Sequence, residues 1–386
     1  MPQKMITRTD TLEELRNISQ QPLTENKYIK EWKDQGGKVV GWLCTYVPEE
    51  VIHAAGMLPV RVLGDSVNIM DADAYLYANT CFFARSCLEL GLQGGYDFLD
   101  ALVAGNTCDP VRRLYDVWRK YLPVDTMQII SIPHKVTERA YEFYSNELNT
   151  LKEKLEEVRG ELISKESLKE SIALYNRTRV LLKELYELRK GAQPQVSGAE
   201  TLDIIRASWR MPRSLYNQTL ERLLPELKNR APLPKARARL LISGSLLDQA
   251  DFIQAIENLG VWVVTDELCT GTRYFWYLVN NHLEPLDALA RRYLDRPPCA
   301  RMRPYTRRVK HILELVKDFG VDGVIYEIIK FCELYGHDKP MVREDLEREN
   351  IPVLELDLEY GAGGSALGQV KTRVEAFLEM LERHKN

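Results

Sequence analysis

Seven cysteines hold most of the chemical potential of this sequence: Cys44, Cys81, Cys87, Cys108, Cys269, Cys299 and Cys332. A thiolate is both a nucleophile and a soft metal ligand, so what matters is whether a fold would bring several together. They are spread over most of the chain and contain no CxxC pair, which argues against a zinc ribbon, a thioredoxin-type redox pair or a small disulfide scaffold. Three stand out by their relation to expected strands. Cys108 follows the apolar run Ala101–Ala104, Cys332 follows the strand around Val324–Glu327, and Cys81 lies between strands in Asn79-Thr80-Cys81-Phe82-Phe83-Ala84-Arg85. Thiols just beyond strand ends of two facing domains can converge on a crevice. Three thiolates can hold three irons of a cubane cluster and leave the fourth iron to a non-protein ligand. For any single cysteine the competing reading is a small buried hydrophobe. Cys44, at a strand end, and Cys87, six residues after Cys81, stand between these readings.

Other candidates are softer. Glu49, Glu50 and His53 fall on the first turns of a helix beside Cys44; they either supply a proton to a reduced substrate or sit solvated at the positive end of the helix dipole. Gly361–Gly364 (GAGG), ahead of the last helix, either cradles a phosphate or is a plain helix entry. Arg273 and Arg373 either pair phosphates and carboxylates or hold two domains together.

The elements needed to position these residues are legible as two α/β regions flanking a helical stretch. Short apolar runs at 38–43, 58–63, 101–104 and 127–132 alternate with helical segments, and so do 238–243, 261–265, 323–327 and 353–357. Such alternation predicts parallel sheets covered by helices. The expected class is therefore α/β, with two doubly wound, Rossmann- or flavodoxin-like sheets and an inserted helical segment. The expected divisions are an N-terminal helical segment at 1–35, a first α/β domain at 36–135, a helical segment at 136–234 and a second α/β domain at 235–386. Pro232 and Pro234 mark the last boundary, and 202–228 reads as one helical stretch. Ligands in open α/β sheets bind outside the carboxyl ends of the strands, so facing domains would leave a crevice there.

Composition narrows the function classes. The 386 residues are 45% hydrophobic and 28% charged, with 52 basic and 56 acidic side chains and a net charge of −4. That balance offers no concentrated positive field for nucleic acid. No apolar run approaches the roughly 20 residues of a membrane helix, and the first ten residues carry no secretory pattern. The expectation is a cytoplasmic protein with neither nucleic-acid nor membrane partners.

Several blocks together resemble the family of benzoyl-CoA reductase and 2-hydroxyacyl-CoA dehydratase subunits. They are Cys44-Thr45-Tyr46-Val47-Pro48-Glu49-Glu50, Pro59-Val60-Arg61, Cys81-Phe82-Phe83-Ala84-Arg85, Asn106-Thr107-Cys108-Asp109, Asp266 through Arg273, Lys330-Phe331-Cys332, and Thr372 through Phe377. Within that family, size and blocks resemble the smaller, gamma-type subunit of the ATP-dependent benzoyl-CoA reductases. The resemblance implies Cys81, Cys108 and Cys332 as ligands of a 4Fe–4S cluster. It also allows a larger double-cubane cluster to which Cys44 or Cys87 contributes, with Cys269 and Cys299 structural. It implies a related cluster-bearing subunit, an ATP-hydrolysing iron–sulfur activator and an acyl-CoA substrate; ATP belongs on the partner, and this chain has no GxxxxGK[ST] loop. The implied activity is dearomatising reduction of an aryl-CoA thioester in anaerobic aromatic degradation. The first alternative is a radical dehydratase that eliminates water through a ketyl. A non-catalytic α/β scaffold and a flavodoxin-like carrier are the alternatives from other classes.

Overall fold

The computed structural model describes residues 10–65, 67–358 and 364–385. Eight strands form two four-stranded, all-parallel sheets. The first contains β1 (Val39–Leu43), β2 (Leu58–Arg61), β3 (Ala101–Asn106) and β4 (Thr126–Ser131) in the order β2-β1-β3-β4. The second contains β5 (Arg239–Gly244), β6 (Trp262–Glu267), β7 (Gly323–Ile329) and β8 (Val353–Leu358) in the order β6-β5-β7-β8. Every residue of β1 and β7 is buried, as expected of central strands covered on both faces. This is the α/β fold of two Rossmann-like sheets that the alternating pattern predicts.

The stretch between the sheets forms four helices. Glu138–Arg159 is capped by the Thr137 side chain and ends on left-handed Gly160, and Lys165–Glu187 is capped by Ser164. The expected single stretch over 202–228 is divided into Gly198–Ala207 and Arg213–Lys228, with Pro212 preceding the second. Pro212 lacks an N–H and disfavours a helical conformation in the residue before it, so the first helix cannot run through.

These helices also contribute to a core shared with both sheets. One continuous apolar cluster joins Val40 and Trp42 of the first sheet, Leu181, Leu185 and Leu220 of the helices, and Val264, Val324 and Tyr326 of the second sheet. Phe83 packs against all three of the molecule's apolar clusters. Close packing also sets the end of β5. Gly244 has φ 139°, and a Cβ there would lie 1.8 Å from the Glu327 carbonyl oxygen of β7. Only glycine fits.

Candidate functional site

Parallel strands gather their outgoing loops along one sheet edge, and the chain uses that edge for its thiols. Cys44 follows β1 directly, Cys108 lies two residues past β3, Cys269 two past β6 and Cys332 three past β7. The pairs β1/β3 and β5/β7 are where each sheet reverses its winding order, the usual ligand position in such folds. Two of these loops hold a non-glycine residue in the left-handed region: Cys44 itself at φ 78°, and Phe331, just before Cys332, at φ 67°. Left-handed non-glycine residues cost on the order of 1 kcal/mol or more and cluster at functional sites.

Cys81, Cys108 and Cys332 share one local device. Each is the N-cap residue of a helix: Phe82–Leu92, Asp109–Tyr121 and Glu333–Arg348 respectively. Burial pushes Cys81 up to about 11 and Cys332 up to about 12, and drives Cys108 well above the ordinary thiol range. The helix-start N–H groups of Phe83 and Ala84, of Val111 and of Tyr335 oppose that rise at Cys81, Cys108 and Cys332 in turn. After burial, the sulfurs raise one another: Cys81 raises both Cys108 and Cys332, and Cys332 raises Cys108. The fold thus brings all three thiols, from two sheets, into one neighbourhood. As free thiols they hold protons at neutral pH, and a metal must displace those protons on binding.

Cys87 does not share this position. It lies inside the helix Phe82–Leu92, fully buried among Leu88, Leu102 and Leu114, while Cys81 occupies the helix start. Cys269 and Cys299 are less buried than Cys87. Both are partly exposed. Burial raises Cys44, and the Cys299 and Cys269 sulfurs add to that rise; Cys44 in turn raises Cys108. A second trio, Cys44, Cys269 and Cys299, therefore borders the first. The sequence carries a signal for Cys269, which follows its strand at the same spacing as Cys108. Cys299 follows no strand and has no local signal.

Buried arginines line this second trio. Arg61, 2% exposed at the end of β2, donates from Nη1 to the Cys269 carbonyl (3.1 Å) and from Nη2 to Cys269 Sγ (3.5 Å). Arg296 donates to the Thr45 carbonyl and hydroxyl (2.8 and 2.9 Å) and stacks 3.9 Å over Tyr46. Arg301 donates to the carbonyls of Ile132 (2.7 Å) and Thr107 (3.2 Å), fixing the approach to Cys108. Among the described residues none of these three arginines touches a carboxylate directly, although Asp248 lies in electrostatic range of Arg61. A buried guanidinium with no carboxylate in direct contact favours negative charge beside it. The wall is electropositive, and thiols face it. That is the donor set and the field an anionic iron–sulfur–thiolate centre requires, so the residues present fit such a group. Among the described residues no three His, Cys, Asp or Glu side chains come close enough together for a single metal ion. A polynuclear centre spreads its ligands more widely.

Glu49 and Glu50 are neither solvated nor open to a substrate. Both are buried: Arg213 donates to Glu49 Oε2 (2.6 Å) and Tyr274 to Oε1 (2.7 Å), while Arg179 and Tyr293 donate to Glu50. Burial is the larger effect on Glu50, but Arg179 and Arg292 outweigh it with others and hold its carboxyl below the usual range; Glu49 is raised by burial against Arg213. His53 contacts Ser171 Oγ (3.0 Å) and is pushed down to about 4 by burial. These groups join the first sheet to the helices. Arg273 is likewise buried and paired with Glu267 (3.1 Å), while Arg373 donates to the Glu355 carbonyl (2.7 Å). Of the glycine-rich segment, residues 361–363 lie outside the described residues, and Gly364 opens the last helix, Gly364–Lys385. Beside Cys332 a groove of about 500 Å³ is lined by Lys330, Phe331, Gly336 and Lys339. A cleft of about 630 Å³ between the N-terminal helix and Gly198–Ala207 has no cysteine in its lining. Among the described residues no helix is long and apolar enough to cross a membrane.

The family described as 2-hydroxyglutaryl-CoA dehydratase, D-component, matches residues 44–381. Similar proteins include a benzoyl-CoA reductase subunit of Thauera aromatica, 27% identical over 92% of this chain and 94% of that protein. The (R)-phenyllactyl-CoA dehydratase beta subunit of Clostridium sporogenes is 27% identical over 92% and 95%. The (R)-2-hydroxyglutaryl-CoA dehydratase beta subunit of Acidaminococcus fermentans is 27% identical over 96% and 98%. Every thiol discussed above lies within the matched span, and the chain belongs to the 2-hydroxyglutaryl-CoA dehydratase D-component family.

Proposed function

We propose that this chain is the iron–sulfur subunit of an enzyme that delivers low-potential electrons to an acyl-CoA thioester, of the benzoyl-CoA reductase type and corresponding to its smaller, gamma-type subunit. The observation that supports this reading is that Cys81, Cys108 and Cys332, each at a helix start, are near enough to raise one another electrostatically. A 4Fe–4S cluster bound there supplies single electrons at low potential. The chain's own contribution is to hold and shield. The three thiolates bind, the helix-start N–H groups and dipoles stabilise their negative charge, and Phe83 with the surrounding apolar residues restricts water. Glu327, raised to about 8 by burial and hydrogen-bonded by Ser245 Oγ (3.1 Å), keeps a proton at neutral pH at the end of β7. A related cluster-bearing subunit and an ATP-hydrolysing iron–sulfur activator complete the assembly in this reading.

The second trio favours one variant of the same reading, a double-cubane centre spanning Cys44, Cys269 and Cys299 as well. Anaerobic reconstitution followed by iron and sulfide analysis separates the two, since a double cubane about doubles the iron taken up per chain. The assembled complex is then assayed with benzoyl-CoA and with a 2-hydroxyacyl-CoA. Loss of aromatic absorbance supports the reductase; water elimination identifies a radical dehydratase. Protein that stays colourless and iron-free marks a non-catalytic scaffold and removes the proposal.

A further inference from the structure

Arg61 is the one arginine of this wall whose guanidinium reaches a cysteine sulfur by a hydrogen bond among the described residues. It projects from the end of β2, crosses to the loop after β6, and holds both the carbonyl and the sulfur of Cys269. Its planar face lies 4.2 Å from the Trp209 ring and 5.1 Å from Trp42, and both indoles are fully buried. These two buried rings hold the guanidinium in place and keep water from it.

Further charged groups stand behind it, and they pair mainly with one another. Arg206 and Arg210 donate to Asp65 (3.0 and 2.9 Å), and Asp248 is the second carboxylate of the group. Asp203 is a third carboxylate in range of Arg206, but the acceptor that Arg61 actually touches is Cys269. A desolvated cation in this setting stabilises negative charge close by far more than a solvated one does. Reduction of a centre in the crevice adds negative charge, so Arg61 favours the reduced state. Hydrogen bonds to cluster sulfurs act in the same direction.

We propose that Arg61 is a positioning residue that fixes the Cys269 sulfur and raises the reduction potential of the centre held in this crevice. The proposal rests on the iron–sulfur reading above. Its rival is that Arg61 merely staples the two sheets together, a role that would affect stability and leave the potential where it was.

The test uses the full chain, anaerobically reconstituted, with Arg61→Met, Arg61→Gln and Arg61→Lys made in parallel. Iron content and melting temperature are measured first, then the midpoint potential by titration with titanium(III) citrate under spectroscopic observation. Arg61→Met and Arg61→Gln shift the reduction equilibrium at least tenfold toward the oxidised state, about 59 mV for a one-electron couple. Arg61→Lys keeps the charge and restores at least half of that shift. Gln retains a donor and tolerates burial, so it serves if the Met variant fails to fold. A lowered melting temperature with an unchanged potential in either neutral variant overturns the proposal in favour of the staple. Wild-type protein that binds no iron overturns the underlying reading and this inference with it, whereas iron bound normally with no potential shift overturns the inference alone.

Discussion

The two thiol trios solve one electrostatic problem by different means. Cys81, Cys108 and Cys332 are each seated at a helix start, where backbone N–H groups oppose the cost of burying a negative sulfur. Cys44, Cys269 and Cys299 cap no helix; the Tyr46 N–H and then Arg296 oppose the rise at Cys44, and Arg61 donates to the Cys269 sulfur. Backbone support comes with the fold and cannot be removed by one side-chain change. Guanidinium support can be removed. The first trio should therefore be robust to its surroundings and the second sensitive to them.

The largest effect expected is on metal content. Cys81→Ala, Cys108→Ala or Cys332→Ala should each abolish nearly all iron uptake on anaerobic reconstitution, while Cys44→Ala, Cys269→Ala and Cys299→Ala should each retain at least half. Equal loss from all six would merge the trios into a single basin.

A smaller effect is expected from the arginines. Arg296→Met leaves the Thr45 carbonyl and hydroxyl without their donor, and an unsatisfied buried acceptor costs about 1–3 kcal/mol. Urea unfolding should show a loss of that size, with the loop of Cys44 becoming easier to cleave. No change in stability would mean that the arginine wall is dispensable to the second trio.

Next is a pH effect on the wall behind the crevice. His311 is buried, has no hydrogen-bond partner on either ring nitrogen among the described residues, and is lowered to about 3 by burial and then by Arg273. The unfolded chain binds this proton near pH 6.5 and the folded chain does not. Stability is accordingly present above about pH 6.5 and lost as pH falls toward 3. His311→Phe should flatten the stability profile between pH 6.5 and 4. A profile parallel to wild type would show that His311 does not carry this sensitivity. Smallest of all is Arg85→Ala. Arg85 pairs with Asp73 (2.5 Å) beside Cys81, but Asp73 is well exposed, and such pairs contribute about 0.2–1 kcal/mol. A loss above that range would mean that the first trio, too, depends on a side-chain cation.

Much of this architecture is legible in the sequence because it is local. Short apolar runs bounded by glycine and alternating with amphipathic helices specify parallel strands, and each of the eight appears within a few residues of its expected place. The thiols after β3 and β7 can be singled out for the same reason. What is not legible depends on contacts distant in sequence. Glu50 meets Arg179 129 residues away and Glu49 meets Arg213 164 residues away, so their burial as ion pairs leaves no trace in the local pattern. Cys299 is likewise placed by a segment that Arg296 and Arg301 tie to the first sheet.

The apolar cluster that runs unbroken from Val40 to Tyr326 has a mechanical consequence. Walls welded through common packing cannot swing apart as a hinge, so whatever docks in the crevice must enter through the loops at its rim. A stiff cradle also changes little in shape when an electron arrives, which keeps the structural rearrangement accompanying each transfer small.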